Sequence, residues 1–227
     1  MTTTSADIQL VPDFGRLWVD TLFETFLDRT GALGELDRRA GDGDFGTNVS
    51  SALRRARQSI DVAPPSDYSG WLTAISRGFL GTGGTSGPLF GMFFRDIARC
   101  AATGEPTLGE FSSGLTAGLA TVQRYGKAQV GHKTMVDALA PAAGTLESAV
   151  AAGAAPGTAL EKTARAAVGG ARGTIELIAK RGRASYVGDV ARGVLDPGAA
   201  AAAMLLQAAA LAQAGPGGRV DTSWIDG

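Results

Sequence analysis

The chain has 227 residues, and 21 Lys and Arg against 22 Asp and Glu give a formal net charge of −1. This balance argues against a dedicated nucleic-acid-binding protein, which would carry a basic excess. The 33 Gly residues follow no fixed period, which excludes a collagen-like triple helix. Because 44% of the residues are hydrophobic and only 19% are charged, the sequence predicts a folded chain rather than a disordered one.

Helical periodicity dominates the chain from its first apolar segment, residues 14–26, where apolar side chains recur at three- and four-residue spacing. Similar patterns follow in chain order over about 47–61, 67–80, 86–102, 107–126, 134–152, 156–179 and 196–214. Thr107 and Glu110 have the spacing of a capping box, and Pro197 suits a first helical position. Strand-like alternation is nearly absent. The sequence predicts an all-α fold of about eight helices, most of them joined by short connections typical of antiparallel neighbours.

No linker divides the chain, so we expect one helical domain over residues 1–214 and a loosely ordered tail over 215–227. The single cysteine, Cys100, cannot form an internal disulfide. The N-terminus lacks the basic and apolar regions of a signal peptide, and the apolar segment 198–214 is short and weakly hydrophobic for a membrane span. These features predict a cytoplasmic protein that does not enter a membrane.

Three carboxylates, those of Asp37, Asp42 and Asp44, lie within eight residues at the entrance to a predicted helix. Hard cations such as Mg²⁺ prefer oxygen ligands, and crowded carboxylates are costly unless a cation neutralises them. The spacing does not fit an EF-hand, whose twelfth position would here be Leu53. The alternative is a turn whose Asp residues cap the next helix.

A second segment, residues 81–88, is built from Gly, Thr, Ser and Pro and leads directly into an apolar helix. Small residues expose backbone N–H groups, Thr85 and Ser86 add hydroxyls, and the helix N-terminus favours an anion. These features fit a phosphate cradle, although the segment is neither a P-loop nor a dinucleotide fingerprint. A flexible loop or a close helix crossing would need the same small residues.

A third segment, residues 181–188, contains Arg181 and Arg183, and an Arg in a loop can clamp phosphate or remain a solvated surface residue. His132 is the only histidine, and no Gly-x-Ser-x-Gly elbow accompanies it, which argues against a nucleophilic hydrolase. An acidic loop, a small-residue loop and an arginine loop together suggest an Mg²⁺–nucleotide site at one end of a helical bundle.

These segments resemble the nucleotide-binding L subunit of dihydroxyacetone kinase. The matching stretches are residues 36–48, 83–91, 133–137, 182–186 and 196–199, in the order of that family. The resemblance implies a closed barrel of eight antiparallel amphipathic helices that binds Mg²⁺-ADP or Mg²⁺-ATP at one rim.

By matching position, the resemblance makes Asp37, Asp42 and Asp44 the ligands of two Mg²⁺ ions. It places a further set of residues around the nucleotide: Phe45, Gly46, Thr47, Asn48, Thr85, Ser86, Gly126, Met135, Arg183, Asp196, Pro197 and Gly198. No residue is assigned as a catalytic base. The three Asp residues and Arg183 would support phosphoryl transfer through their charges.

The resemblance also implies a partner. In this family a separate K subunit binds the ketose covalently through its own histidine and presents a hydroxyl to the γ-phosphate. In one version a protein of the phosphotransferase system rephosphorylates bound ADP, and in others ATP exchanges. The oligomeric state, including a homodimer, stays open.

Two positions depart from the family pattern: Phe45 stands where His is usual, and His132 where Asp is usual. They leave open whether the ketose is dihydroxyacetone or a relative such as erythrulose. Two other functions are compatible with the sequence. One is the nucleotide domain of a fatty-acid-type kinase, and the other is a non-catalytic Mg²⁺-ADP sensor that regulates a partner protein.

Overall fold

The fold is formed by eight α-helices that run almost the full length of the chain. A computed structural model describes residues 4–84, 86–101, 103–186 and 191–226, with Arg183 and Tyr186 described by their backbone. The helices are α1 (Phe14–Ala40), α2 (Phe45–Val62), α3 (Tyr68–Leu80), α4 (Ser86–Ala98), α5 (Leu108–Gly126), α6 (Val136–Ala151), α7 (Pro156–Gly173) and α8 (Pro197–Ala214). Within these ranges the only β-structure is an isolated bridge between Gln9 and Thr107. The prediction of an all-α fold with eight helices is confirmed.

The helices form a closed ring. Each helix packs against the next one in the chain, and α8 returns to pack against α1. Because most connections are short, consecutive helices run in opposite directions. The even-numbered helices therefore begin at one end of the ring, which we call the rim, and the odd-numbered helices end there. The long connection, residues 174–196, also lies between two helix ends at this rim.

Aromatic side chains fill the core on the side of the ring that contains α1, α3, α4 and α5. Trp18 lies in the centre of this cluster, with its ring centroid 5.6 Å from that of Phe111 and 6.0 Å from that of Phe94. The indole N–H of Trp18 donates a 2.9 Å hydrogen bond to the carbonyl of Leu205 in α8. The aromatic cluster is thereby joined to the helix that closes the ring.

Helix α8 is predominantly apolar all round and about two-thirds buried. Residues 199–203 are all alanine and all fully buried, so neighbouring helices approach α8 closely. By length and composition alone α8 could cross a membrane, but 67% of it is buried inside the protein. A helix that is hydrophobic all round and covered by α1, α6 and α7 is typical of a protein core.

The segment after α8, which the sequence predicts to be loosely ordered, is in contact with α1 and α8. The guanidinium of Arg29 donates a 2.7 Å hydrogen bond to Thr222 Oγ1 and forms a 2.9 Å ion pair with Asp226. The Trp224 indole N–H donates to Gln207 Oε1 at 3.2 Å. These contacts hold the chain end along the outside of the ring.

Helices α6 and α7 are in close contact at Gly170. A β-carbon at Gly170 would lie 2.8 Å from Pro141 Cγ and would also collide with the carbonyl oxygen of Asp137. Pro141 has no N–H to donate to that carbonyl, which lies one helical turn earlier. The absence of a side chain at residue 170 therefore allows α7 to pack directly on this turn of α6.

We expect Gly170→Ala to destabilise the protein by about 1–3 kcal/mol, because the added methyl group must push the two helices apart. The neighbouring substitution Gly169→Ala is the matched control, since a β-carbon there meets nothing within 4 Å. It should stabilise the protein by up to about 1 kcal/mol through helix propensity. Urea denaturation of both variants measures the two effects, and equal stabilities would contradict this account of the contact.

Candidate metal and nucleotide site

An open cavity of about 890 Å³, including space open to solvent, lies at the rim of the ring. It is lined by the N-terminal residues of α2, α4 and α8 and by Met135, which immediately precedes α6. Each helix N-terminus carries unpaired backbone N–H groups and a partial positive charge. Four such ends directed at one cavity favour an anionic ligand.

Asp37, Asp42 and Asp44 come together on one side of this cavity, with a carboxylate oxygen of each within 4.8 Å of the others. Helix α1 extends to Ala40, so Asp37 lies on its last turn rather than in a loop, and it is buried. Asp42 and Asp44 lie in the four-residue connection to α2 and are exposed. Three carboxylates at this separation are a suitable donor set for a hard cation such as Mg²⁺.

The position of Asp37 is fixed by the start of α2. Its carboxylate accepts a 3.0 Å hydrogen bond from the backbone N–H of Phe45, the first residue of α2. Burial raises the pKa of Asp37, and the charges of Asp42 and Asp44 raise it further, whereas the Phe45 N–H lowers it. A cation bound among the three carboxylates would relieve this mutual repulsion.

The glycine-rich segment approaches the same cavity from α3 and α4. Ser86, the first residue of α4, lines the cavity. Gly84 has φ = +85°, and a β-carbon on it would lie 2.8 Å from Asn48 Nδ2, so the loop passes directly over the first turn of α2. Thr82, just after α3, donates a 2.9 Å hydrogen bond from its Oγ1 to the carbonyl of Gly78 in the last turn of that helix. Thr85 lies outside the residues that the structure describes.

Another part of the cavity lining is apolar. Leu89 and Phe90 of α4, Val122 of α5 and the buried Met135 form this apolar wall. Gly126, at the end of α5, leaves space there, because a β-carbon on it would lie 3.3 Å from Leu89 Cδ1. An apolar wall next to a ring of helix N-termini is suited to a ligand with one flat apolar end and one anionic end.

The first residues of α8 complete the cavity. Asp196 caps α8, with its carboxylate accepting a 2.7 Å hydrogen bond from Ala199 N–H, and Pro197 occupies the first helical position as predicted. Gly198 lies beside Met135, since a β-carbon on it would be 3.7 Å from the Met135 nitrogen. Burial raises the pKa of Asp196 to about 7, which the hydrogen bond from Ala199 and the charge of Lys133 oppose.

Most of the residues that the sequence selected line this one cavity: Asp37, Asp42, Asp44, Phe45, Ser86, Gly126, Met135, Asp196, Pro197 and Gly198. Gly46, Thr47 and Asn48 form the first turn of α2 and are not among its lining residues; Gly46 faces α1, where a β-carbon would lie 2.8 Å from Gly34 N. The backbone of Arg183 begins a short 3₁₀-helix, Arg183–Tyr186, beside the lining residues Arg181 and Gly182.

Sequence reasoning missed two features of the cavity. The apolar residues Leu89, Phe90 and Val122 have the helical spacing of ordinary core residues, so periodicity alone could not distinguish them. Lys133 belongs to the matching stretch 133–137, but the sequence assigns it no role. In the structure it is a buried residue that lines the cavity. His132 is not among the lining residues, and its Nδ1 accepts a 3.2 Å hydrogen bond from the backbone of Gln129.

These features define the class of the protein: an all-helical ring with a carboxylate cluster and several helix N-termini at one cavity. The family model of the DAK2 domain, Dak2, matches residues 39–211. This match covers well over half of the chain, so the chain belongs to the Dak2 family.

Curated relatives and solved structures agree with this assignment. The human triokinase/FMN cyclase is 36% identical over 194 residues, which cover 85% of this chain and 34% of that protein. The ADP-binding subunit DhaL of the PTS-dependent dihydroxyacetone kinase from Lactococcus lactis is 32% identical over 191 residues, 84% of this chain and 92% of the subunit. The chain thus spans about a third of the mammalian relative and nearly all of the bacterial subunit.

A solved structure is similar over the whole ring. The dihydroxyacetone kinase of C. freundii in complex with AMP-PNP and Mg²⁺ has a TM-score of 0.63 and 27% identity, covering 93% of this chain and 36% of that one. This similarity supports the closed helical ring as the fold of the chain.

The raised pKa of Asp196 predicts a pH-dependent stability. The folded state holds the proton up to about pH 7, whereas an unfolded Asp loses it near 3.8. The free energy of unfolding should therefore fall as the pH rises from about 4 to 8, by at most about 4 kcal/mol from this group, because one pKa unit corresponds to about 1.4 kcal/mol.

The matched variant is Asp196→Asn, whose amide oxygen can still accept the Ala199 N–H. Urea denaturation in EDTA at pH 5 and pH 8 should show a larger loss of stability for the wild type than for the variant. Parallel pH profiles for the two proteins would contradict the raised pKa.

Proposed function

We propose that this chain is the nucleotide-binding subunit of a kinase that phosphorylates dihydroxyacetone or a related short ketose. The observation that carries the proposal is one cavity whose lining combines three clustered carboxylates, apolar side chains and the N-terminal residues of helices. A cation site, a phosphate site and an apolar slot match the parts of Mg²⁺-ADP or Mg²⁺-ATP. The names of the relatives, which include ADP-binding kinase subunits and a triokinase, support the same reading.

In this proposal Asp37, Asp42 and Asp44 hold two Mg²⁺ ions, which would neutralise the phosphate charges when bound. The role of the chain is to present these carboxylates in a fixed arrangement. Asp37 is held by the Phe45 N–H at the start of α2. Asp42 and Asp44 line the cavity and are exposed, so they are accessible to an entering phosphate chain.

The remaining predicted residues bind the nucleotide itself in this proposal. In the first turn of α2, residues 45–48, the Phe45 N–H is donated to Asp37 and the Asn48 N–H to the Asp44 carbonyl, so the phosphate oxygens are held by Gly46 and Thr47 N–H groups and by the segment with Thr85 and Ser86. Met135 and Gly126 border the apolar wall, which receives the adenine ring. Residues 196–198 close the cavity from the α8 side, and Arg183 supplies a cation to the phosphates.

The acceptor must be brought by another protein in this proposal. The lining of the cavity, over the part of the chain that the structure describes, contains neither His nor Cys; three of its four carboxylates are clustered, and the fourth, that of Asp196, caps α8. A kinase can work in this way because phosphoryl transfer depends mainly on positioning and charge neutralisation. We propose that a K-type subunit holds the ketose covalently and presents its hydroxyl at the rim. The phosphate donor is ATP or a phosphotransferase-system protein.

Nucleotide binding has a direct test. Because a ligand that binds only the folded state stabilises it, Mg²⁺ with ADP should raise the melting temperature of the wild type, by an amount equivalent to about 2.7 kcal/mol at a hundred times Kd. Asp42→Asn should abolish most of this rise, because one of the three cation ligands is lost. Differential scanning fluorimetry with Mg²⁺, ADP, both or neither measures the effect.

The control for that experiment is Asp61→Asn, an exposed Asp near the other end of α2. It should keep the full rise with Mg²⁺-ADP. If the wild type shows no rise with either ADP or ATP, or if Asp42→Asn and Asp61→Asn behave alike, the proposed cation site is wrong.

The kinase activity requires reconstitution. With a K-type subunit from the same genome, the chain should phosphorylate dihydroxyacetone or a four-carbon ketose such as erythrulose, with ATP or with a phosphorylated transfer protein, and the chain alone should not. Asp42→Asn should reduce the rate by at least about a hundredfold, since charge neutralisation of the phosphates supplies most of the catalysis. Product can be measured by mass spectrometry.

Each alternative function gives a different result in this assay. A Mg²⁺-ADP sensor would bind nucleotide and show no turnover with any K-type subunit. A fatty-acid-type kinase domain would act only with a lipid-binding partner. Either result would overturn the ketose kinase and leave the nucleotide site intact.

A further inference from the structure

Lys133 is a buried lysine at the back of the cavity whose ammonium group is committed to backbone carbonyls. Only 1% of the residue is exposed. Its Nζ donates hydrogen bonds of 2.5 Å to the carbonyl oxygens of Thr174 and Val194. Burying an ammonium group is costly unless it is hydrogen-bonded, so these two bonds are essential to its placement.

These bonds join three segments that are distant in sequence. Lys133 lies two residues before Met135, Thr174 follows the last residue of α7, and Val194 lies two residues before Asp196. Thr174 strengthens the junction, because its Oγ1 accepts a 3.0 Å hydrogen bond from Asp196 N–H. The segment before α8 and the turn before α6 are thus both hydrogen-bonded to Thr174.

The backbone of Lys133 is itself unusual. Its φ of +59° lies in the left-handed region, which a non-glycine residue adopts only when its surroundings require it. The turn around it is held by Asp137, whose carboxylate accepts hydrogen bonds from Gly131 N–H and, at 2.8 Å, from Thr134 N–H. The Lys133 side chain reaches the end of α7 and the segment before α8.

Burial lowers the pKa of the Lys133 ammonium group, and the nearby carboxyl groups of Asp196, Asp137 and Glu176 oppose this shift. The two carbonyls belong to the C-terminal end of α7 and to the approach to α8. A helix C-terminus carries a partial negative charge, which a buried amine can offset.

We propose that Lys133 is a positioning residue for nucleotide binding: it fixes Met135 and residues 196–198 relative to each other, and thereby sets the shape of the cavity lining that they form together. It acts through the carbonyls of Thr174 and Val194 and does not itself bind the nucleotide. Gly198 lies next to Met135 in this lining, so a shift of either segment alters the shape of the cavity. This inference rests on the proposed nucleotide-binding function.

Lys133→Met tests the inference, because methionine retains an apolar chain of similar length and removes the donors. The Kd for ADP at saturating Mg²⁺ should rise at least tenfold. The Kd for Mn²⁺ alone should stay within twofold, because Asp37, Asp42 and Asp44 lie on α1 and its connection to α2 and do not depend on the junction. Calorimetry gives both constants, and circular dichroism at the same temperature checks that the variant is folded.

Two further variants separate positioning from general stability. Lys133→Arg keeps a cation and several N–H donors, and should recover at least part of the lost ADP affinity. Lys180→Met, which removes an exposed lysine from the neighbouring segment, should bind ADP like the wild type. If Lys133→Met does not fold, Thr174→Val replaces it, since this variant releases Asp196 N–H at the same junction and should raise the ADP Kd severalfold.

The outcomes distinguish the inference from the function on which it rests. If the wild type binds Mg²⁺-ADP and the folded Lys133→Met variant binds it within twofold, Lys133 is not a positioning residue. If Lys133→Met loses ADP and Mn²⁺ binding in equal measure, Lys133 only stabilises the fold. A folded Thr174→Val variant with unchanged ADP affinity would also contradict the positioning role of this junction. A wild type that binds no Mg²⁺-ADP overturns the proposed function, and this inference with it.

Discussion

The packing of α8 against α1 is the contact on which the rest of the structure depends. It closes the ring, and it is possible because α8 is predominantly apolar all round and built largely from alanine, which lets three helices approach it at once. The Trp18 indole anchors the contact through the Leu205 carbonyl. Once the ring is closed with alternating helix directions, the N-termini of α2, α4, α6 and α8 must all lie at the same end.

This arrangement gives the rim two opposite electrostatic features. The helix N-termini contribute partial positive charge around the cavity, and Asp37, Asp42 and Asp44 contribute concentrated negative charge on one side of it. The protein balances these features only in part, because the clustered carboxylates repel each other and Asp37 and Asp196 accept one helix N–H each. A ligand that carries cations at one place and phosphate oxygens at another would complement both, which is the physical basis for proposing an Mg²⁺–nucleotide complex.

The abundance of glycine and alanine serves two purposes, the close packing of the helices and the shaping of the cavity. Alanine is concentrated in α8 and its neighbours, where small side chains permit close packing. Several glycines lie where helices or loops touch without room for a side chain, such as Gly170 against α6 and Gly46 against α1. Others bring backbone to the cavity, as Gly84 does above Asn48. The small residues of this chain therefore shape both the ring and the site.

The sequence by itself determined the eight helices, because their apolar spacing and caps are local signals, and it selected most of the residues that line the cavity through their chemistry and motif order. It could not determine where helix ends fall, so Asp37 proved to lie on the last turn of α1 and Phe45 on the first turn of α2. Only the tertiary structure decided that Leu89 and Val122 line the cavity, and that Lys133 joins the C-terminal end of α7 to the segment before α8. These features depend on contacts between segments far apart in the chain, and periodicity within one segment carries no information about them.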